Sequence, residues 1–93
     1  MFKLRKYHDE KVQSLTYKGD DKEFSVGIIY PGTYEFGSIK KEINTVTAGR
    51  IKVWTETNHQ WQEYSEGKKF TIPANTNFKF QCDEVSAYLC YYE

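Results

Sequence analysis

Turn residues cut this chain at such short intervals that no helix of more than two turns fits between them. Glycine, proline, asparagine and aspartate cluster at "KGDDKE", "PG", "TNHQ", "PAN" and "DEV". The segments between them are brief and alternate apolar with polar residues, as in "FSVGIIY", "RIKVWTE" and "NFKFQC". That period of two belongs to strands, each with one buried face. About eight or more short strands joined by tight turns predict an all-β closed barrel or two-sheet jelly roll. Closure also removes the open sheet edges that invite aggregation.

Ninety-three residues suffice for one small domain, so residues 1–93 are read as a single unit with one core. Residues 1–8, "MFKLRKYH", precede the first clear strand and read as an N-terminal arm docked on a partner. Thirteen basic and thirteen acidic residues cancel, which gives no general electrostatic reason to bind nucleic acid or an anionic membrane. No apolar run reaches the ~20 residues of a membrane span, and the N-terminus lacks the apolar stretch of a secretion signal. The cytoplasm is the expected location. Cys82 and Cys90 are the only cysteines, too few for a disulfide framework. Cys90, inside "YLCYY", reads as a packed thiol rather than a nucleophile. Eight tyrosines, six phenylalanines and two tryptophans fill a thin β core and suit a site that is half apolar and half wet.

Two spacings stand out. Gly32 is followed after five residues by Ser38, then by Lys40 and Glu42, and six residues separate Glu42 from Gly49. Later, Gly67 is followed after five residues by Pro73, then by Asn75 and Phe78. Gly49 and Gly67 suit reversals that need positive φ, Pro73 ends a strand, and Asn75 tolerates the left-handed region. These spacings resemble the two cupin motifs. The positions that carry metal-binding histidines in cupins hold Ser38, Lys40 and Phe78, and the spacer before Glu42 is one residue. Ser, Lys and Phe do not make a transition-metal site, and His8 and His59 fall elsewhere, so no metal is expected.

The resemblance narrows along nearly the whole chain, through "KVQS", "SVGII", "PGTYEFG", "NTVTAG", Trp61 with Tyr64, "PAN" and "YLCYY". The chain resembles the small single-cupin pyrimidine/purine nucleoside phosphorylases. That resemblance implies phosphorolysis of nucleosides with inorganic phosphate as co-substrate, no cofactor, and a homodimer that shares a sheet edge or exchanges its N-terminal strand. Tyr91 stands where some relatives carry a basic residue, so a phosphate-binding charge has to come from elsewhere. The alternatives are a non-catalytic cupin that binds a sugar, nucleoside or other small metabolite, and a metal-dependent cupin with other ligands.

Alternation nominates the site residues. Lys40 is a point charge for phosphate, Ser38 a donor to it or a turn cap, and Glu42 an acceptor for ribose hydroxyls or a partner of Lys40 or Lys41. Glu42 and Lys40 are the catalytic candidates. Asn44 follows Glu42 on the lumen face, Phe78 and Phe80 offer a base-stacking platform, and Tyr34, Phe36 and Tyr88 complete the wall. Arg50 reads as surface, and Trp54 and Trp61 as packing or dimer contacts.

Overall fold

Strand alternation sorts side chains into an inner and an outer face throughout residues 2–93, the part of the chain that the computed structural model describes. The strands are β1 (Phe2–Tyr7), β2 (Val12–Lys18), β3 (Glu23–Ile29), β4 (Gly32–Gly37), β5 (Glu42–Ala48), β6 (Arg50–Thr55), β7 (Trp61–Ser65), β8 (Lys69–Ile72), β9 (Asn77–Cys82) and β10 (Ser86–Tyr92). They form a six-stranded sheet in the order β1-β2-β3-β10-β5-β8 and a four-stranded sheet in the order β4-β9-β6-β7. Every pairing is antiparallel. The inner faces of the two sheets enclose a lumen filled by one cluster of buried apolar side chains.

The turns are built as their residues require. Gly49 has φ +75 between β5 and β6, and a Cβ there would run into Ser86. Gly67 and Asn75 are also left-handed, at φ 86 and 54. Ser86 ties the barrel at that end, donating to the Arg50 carbonyl at 3.1 Å. No helix of the described residues is long and apolar enough to cross a membrane.

Of the segment expected as an arm, residues 2–7 form a strand, and Met1 lies outside the described residues. β1 pairs along its length with β2 of the same chain, from Phe2↔Tyr17 to Tyr7↔Val12. Lys3, Arg5 and Tyr7 fall on one face of it, and Arg5 and Tyr7 turn toward the lumen. "KLRKY" has too few apolar residues to declare itself a strand. Its pairing with β2 makes it one. The β1–β2 turn carries His8, Asp9 and Glu10 at φ 52, 59 and 68. Left-handed backbone at non-glycine residues costs roughly 1–2 kcal/mol each. His8 offsets this by reaching across to the other sheet. Its Nε2 lies 3.2 Å from the Glu35 carbonyl, and its ring packs 5.1 Å from Tyr34 and 5.4 Å from Phe36.

Candidate active site

At one end the lumen opens into a cavity of about 510 Å³, between the β1–β2 turn and the segment that joins β4 to β5. Its two walls differ. On the four-stranded sheet, Phe36, Phe78 and Phe80 make an aromatic wall. Phe36 and Phe78 stack at 5.4 Å and 26°, and Phe78 and Phe80 lie 5.2 Å apart. Such contacts add about 0.5–1.5 kcal/mol each beyond the area they bury. Tyr88 meets Phe80 edge-on at 5.6 Å. Its ring has room only because the strand opposite carries Gly27, where a Cβ would collide with it.

The six-stranded sheet makes a polar wall. Thr16 Oγ1, Ser25 Oγ and the Tyr92 hydroxyl form a chain with steps of 2.8 Å and 2.8 Å. The Cys90 thiol donates to Glu42 Oε1 at 3.6 Å, and Asn44 Nδ2 donates to the same oxygen at 3.5 Å. Burial pushes the Glu42 carboxyl above the usual carboxylate range, and the bonds from Asn44 and Cys90 only partly oppose it. Burial, then the neighbouring Glu42 charge, also raise the Cys90 thiol, so it stays protonated and is a poor nucleophile.

The cations sit at the rim. Lys40 pairs with Glu23 at 2.8 Å, with half of the lysine side chain exposed. Arg5 lines the cavity and has no ion-pair partner among the described residues. Among those residues no three His, Cys, Asp or Glu side chains gather as a metal cluster would need.

The expected site residues divide. Glu42, Lys40, Phe36, Phe78, Phe80 and Tyr88 line the cavity together. Asn44 is fully buried behind Glu42, outside the lining, and its Oδ1 has no hydrogen-bond partner. Tyr34 lies outside it too: its hydroxyl donates to the Tyr30 and Pro31 carbonyls at 2.9 Å and 3.0 Å, and burial raises its pKa. Ser38 is a correction. Its hydroxyl donates to the Pro73 carbonyl at 2.6 Å and accepts from the Thr76 amide at 3.0 Å, so it pins one loop to another and faces no ligand. The shortened spacer explains this. β4 ends at Gly37 and β5 starts at Glu42, so Ser38 and Lys40 lie in a bend where alternation no longer holds.

Sequence reasoning missed Arg5, Tyr7, His8, Thr16, Glu23 and Tyr92, all in the lining. The alternation of "KLRKY" was an available signal, but only the pairing with β2 fixes which face points inward. Position 91, by contrast, faces outward: Tyr91 packs on Phe24 at 5.4 Å and does not line the cavity. The cations in the lining are Arg5 and Lys40. Arg50 is exposed and within 4.0 Å of Glu63. Trp54 and Trp61 are cross-strand partners, with Lys79 4.7 Å over the Trp54 ring.

The model of the family described as pyrimidine/purine nucleoside phosphorylase matches residues 2–92. The chain belongs to that family. The pyrimidine/purine nucleoside phosphorylase of Pseudomonas aeruginosa is 38% identical over 92 residues, which cover 99% of each chain. A crystal structure of a protein of unknown function from Vibrio parahaemolyticus superposes with a TM-score of 0.93 at 33% identity, covering 100% of this chain and 99% of that one. A putative ethanolamine utilization protein Q from Salmonella typhimurium, 15% identical, shares the fold alone, with a TM-score of 0.77 over 87% of this chain and 68% of its own. The architecture is the cupin barrel that the motif spacing led us to expect.

Proposed function

We propose that the protein catalyses phosphorolysis of purine and pyrimidine nucleosides, giving the free base and α-D-ribose 1-phosphate, with no cofactor beyond inorganic phosphate. One observation carries this reading. An arginine with no carboxylate partner among the described residues faces a cavity whose opposite wall is three phenylalanines. The cavity thus pairs a place for an anion with a place for a flat heterocycle.

The division of labour follows from the walls. Arg5 grips phosphate through its planar fork of donors, and Lys40 adds a point charge once it leaves Glu23. The base lies against Phe36 and Phe78. Glu42 faces the ribose and the departing base. Holding phosphate in line with the anomeric carbon turns an encounter in solution into an intramolecular step. Tolerance of several bases is reasonable, because stacking on a phenylalanine discriminates weakly among aromatic rings.

The test is incubation with uridine, adenosine, guanosine or inosine, with and without phosphate. Free base that appears only with phosphate supports the reading. No release from any nucleoside would sink it. Arg5→Met is expected to raise the Michaelis constant for phosphate roughly 10- to 100-fold, the worth of a charged hydrogen bond. A protein that binds nucleosides tightly and never turns them over is the non-catalytic alternative. We place the enzyme in the cytoplasm as a homodimer, joined through the outer sheet face where Leu15, Val26 and Ile28 are exposed. Light scattering of the wild type and of Val26→Lys checks that interface.

A further inference from the structure

One row of residues crosses the inner wall of the six-stranded sheet, starting at its β1 edge. Arg5 on β1 stands opposite Ser14 on β2, Ser14 opposite Gly27 on β3, and Gly27 opposite Tyr88 on β10. Arg5, Ser14 and Tyr88 all line the cavity. Ser14 is 5% exposed and Tyr88 9%, yet neither hydroxyl makes a hydrogen bond to a described residue. Among those residues, Asn44 Oδ1 is the one side-chain oxygen or nitrogen both sealed off and unpartnered, so the two hydroxyls still reach the cavity. Buried polar groups are nearly always hydrogen-bonded. Two that bond to nothing in their own chain, beside an arginine, are donors held ready for a ligand.

Gly27 decides where the phenol lies. Its backbone is not left-handed, so its use is the missing side chain. A Cβ there would collide with Cε1, Cζ and the hydroxyl oxygen of Tyr88. The hydroxyl end of the ring therefore lies over β3, turned toward β2. Neighbouring strands are about 4.8 Å apart, so the phenol ends about one strand from Ser14 and two from Arg5. The long arginine side chain spans the wider interval. The row holds no carboxylate, and neither do the inner rows that flank it, which pass through Val12 and Ile29 on one side and Thr16 and Ser25 on the other. Glu42 enters two rows further on, opposite Tyr92. An anion in this row thus meets donors and is spared a carboxylate neighbour.

We propose that the hydroxyls of Ser14 and Tyr88 complete the phosphate subsite with Arg5, and that Gly27 is the residue that lets the phenol lie there. The identity of the anion rests on the proposed reaction. Arg5 supplies charge and a planar fork of donors, and the two hydroxyls donate to oxygens that the fork leaves over. A single arginine holds an anion and leaves it free to turn. Donors on a second and a third strand fix its orientation, which in-line attack on the anomeric carbon requires. Tyr88 also meets Phe80 edge-on at 5.6 Å, so the subsite adjoins the aromatic wall proposed for the base. Gly27 touches no substrate and is a positioning residue.

The test pairs calorimetric titration of inorganic phosphate with steady-state kinetics on uridine and phosphate, for the wild type, Ser14→Ala and Tyr88→Phe. Each variant removes one hydroxyl and little else. Each is expected to weaken phosphate about tenfold or more, in Kd and in the Michaelis constant, as loss of a hydrogen bond to a charged group does. The Michaelis constant for uridine stays within about twofold. Gly27→Ala, which drives the ring off β3, is expected to weaken phosphate at least as much as Tyr88→Phe. The same alanine added to Tyr88→Ala is expected to change phosphate binding by less than about twofold, because no ring is left to displace. That double variant also serves if Gly27→Ala alone fails to fold. Phosphate affinity unchanged in either Ser14→Ala or Tyr88→Phe overturns the subsite. So does a rise in the uridine constant with phosphate unaffected, which would give the hydroxyls to the ribose. Failure of the reaction reads differently: a wild type that binds phosphate through both hydroxyls and releases no base keeps the subsite and loses the phosphorolysis.

Discussion

The two ends of the lumen are built from the same strands and have opposite contents. At the closed end, Val12, Ile29, Val46 and Ile51 have no exposed surface. Moving along the registers, Val12↔Ile29 gives way to Ser14↔Gly27, then to Thr16↔Ser25, with Cys90↔Asn44 and finally Tyr92↔Glu42 beyond. Aliphatic rows become hydroxyl rows and then a carboxyl. The closed end follows ordinary core economics, in which each buried aliphatic side chain contributes about 1.5–3 kcal/mol. The open end buries groups that prefer water and keeps most of them by hydrogen bonds among themselves. Stability is concentrated at one end, which lets the other hold an unfavourable carboxyl.

Changes at each end should therefore be read by different instruments. The largest effect is expected from Ile51→Ala, a loss of roughly 2–5 kcal/mol in denaturant unfolding. Activity per folded molecule stays near wild type, and an equal loss of activity would break the division between the ends. Glu42→Gln should act in the opposite sense. Its kcat falls about 100-fold, the contribution of a positioned acid, while the protein gains stability at neutral pH. Burial raises the folded Glu42 pKa above the ordinary 4.5, so the native state keeps a proton that the unfolded chain gives up. Stability of the wild type then falls as pH rises from about 4.5 toward the raised value. Melting temperatures from pH 4 to 8 should show this slope in the wild type and not in Glu42→Gln.

Two smaller changes sharpen the boundary at the bend between β4 and β5. Ser38→Ala leaves the Thr76 amide unpaired and should lower stability by about 1–3 kcal/mol, with kinetic constants unchanged in the folded protein. Lys40→Met, two residues on, should do the reverse. It raises the Michaelis constant for phosphate severalfold and changes stability by less than ~1 kcal/mol, because its pair with Glu23 is partly exposed. If Ser38→Ala weakens phosphate and Lys40→Met does not, the bend has been assigned the wrong way round.

Legibility in the sequence followed the range of the forces involved. Residues set by local backbone geometry were readable: Gly49, Gly67 and Asn75 are left-handed where the spacing placed them. Phe78 and Phe80 share the face that strict alternation in "NFKFQC" dictates. Alternation failed at Ser38, because a bend has no period. Glu42 was readable as an inward residue, but its companions were not, since Cys90 and Tyr92 arrive from the far end of the chain.

The sequence by itself determined an all-β chain of short strands, its turn positions, its resemblance to its family and an aromatic face. Those features depend on periods of two and on single residues that tolerate particular backbone angles. The tertiary structure decided that β1 adds an edge strand beside β2, that Arg5 and not position 91 lines the cavity, and that β10 lies between β3 and β5. Only that strand order joins Thr16, Ser25 and Tyr92 in one hydrogen-bonded row and sets Cys90 against Glu42. Their contacts are hydrogen bonds between residues up to 67 positions apart, and no local pattern encodes such a pairing.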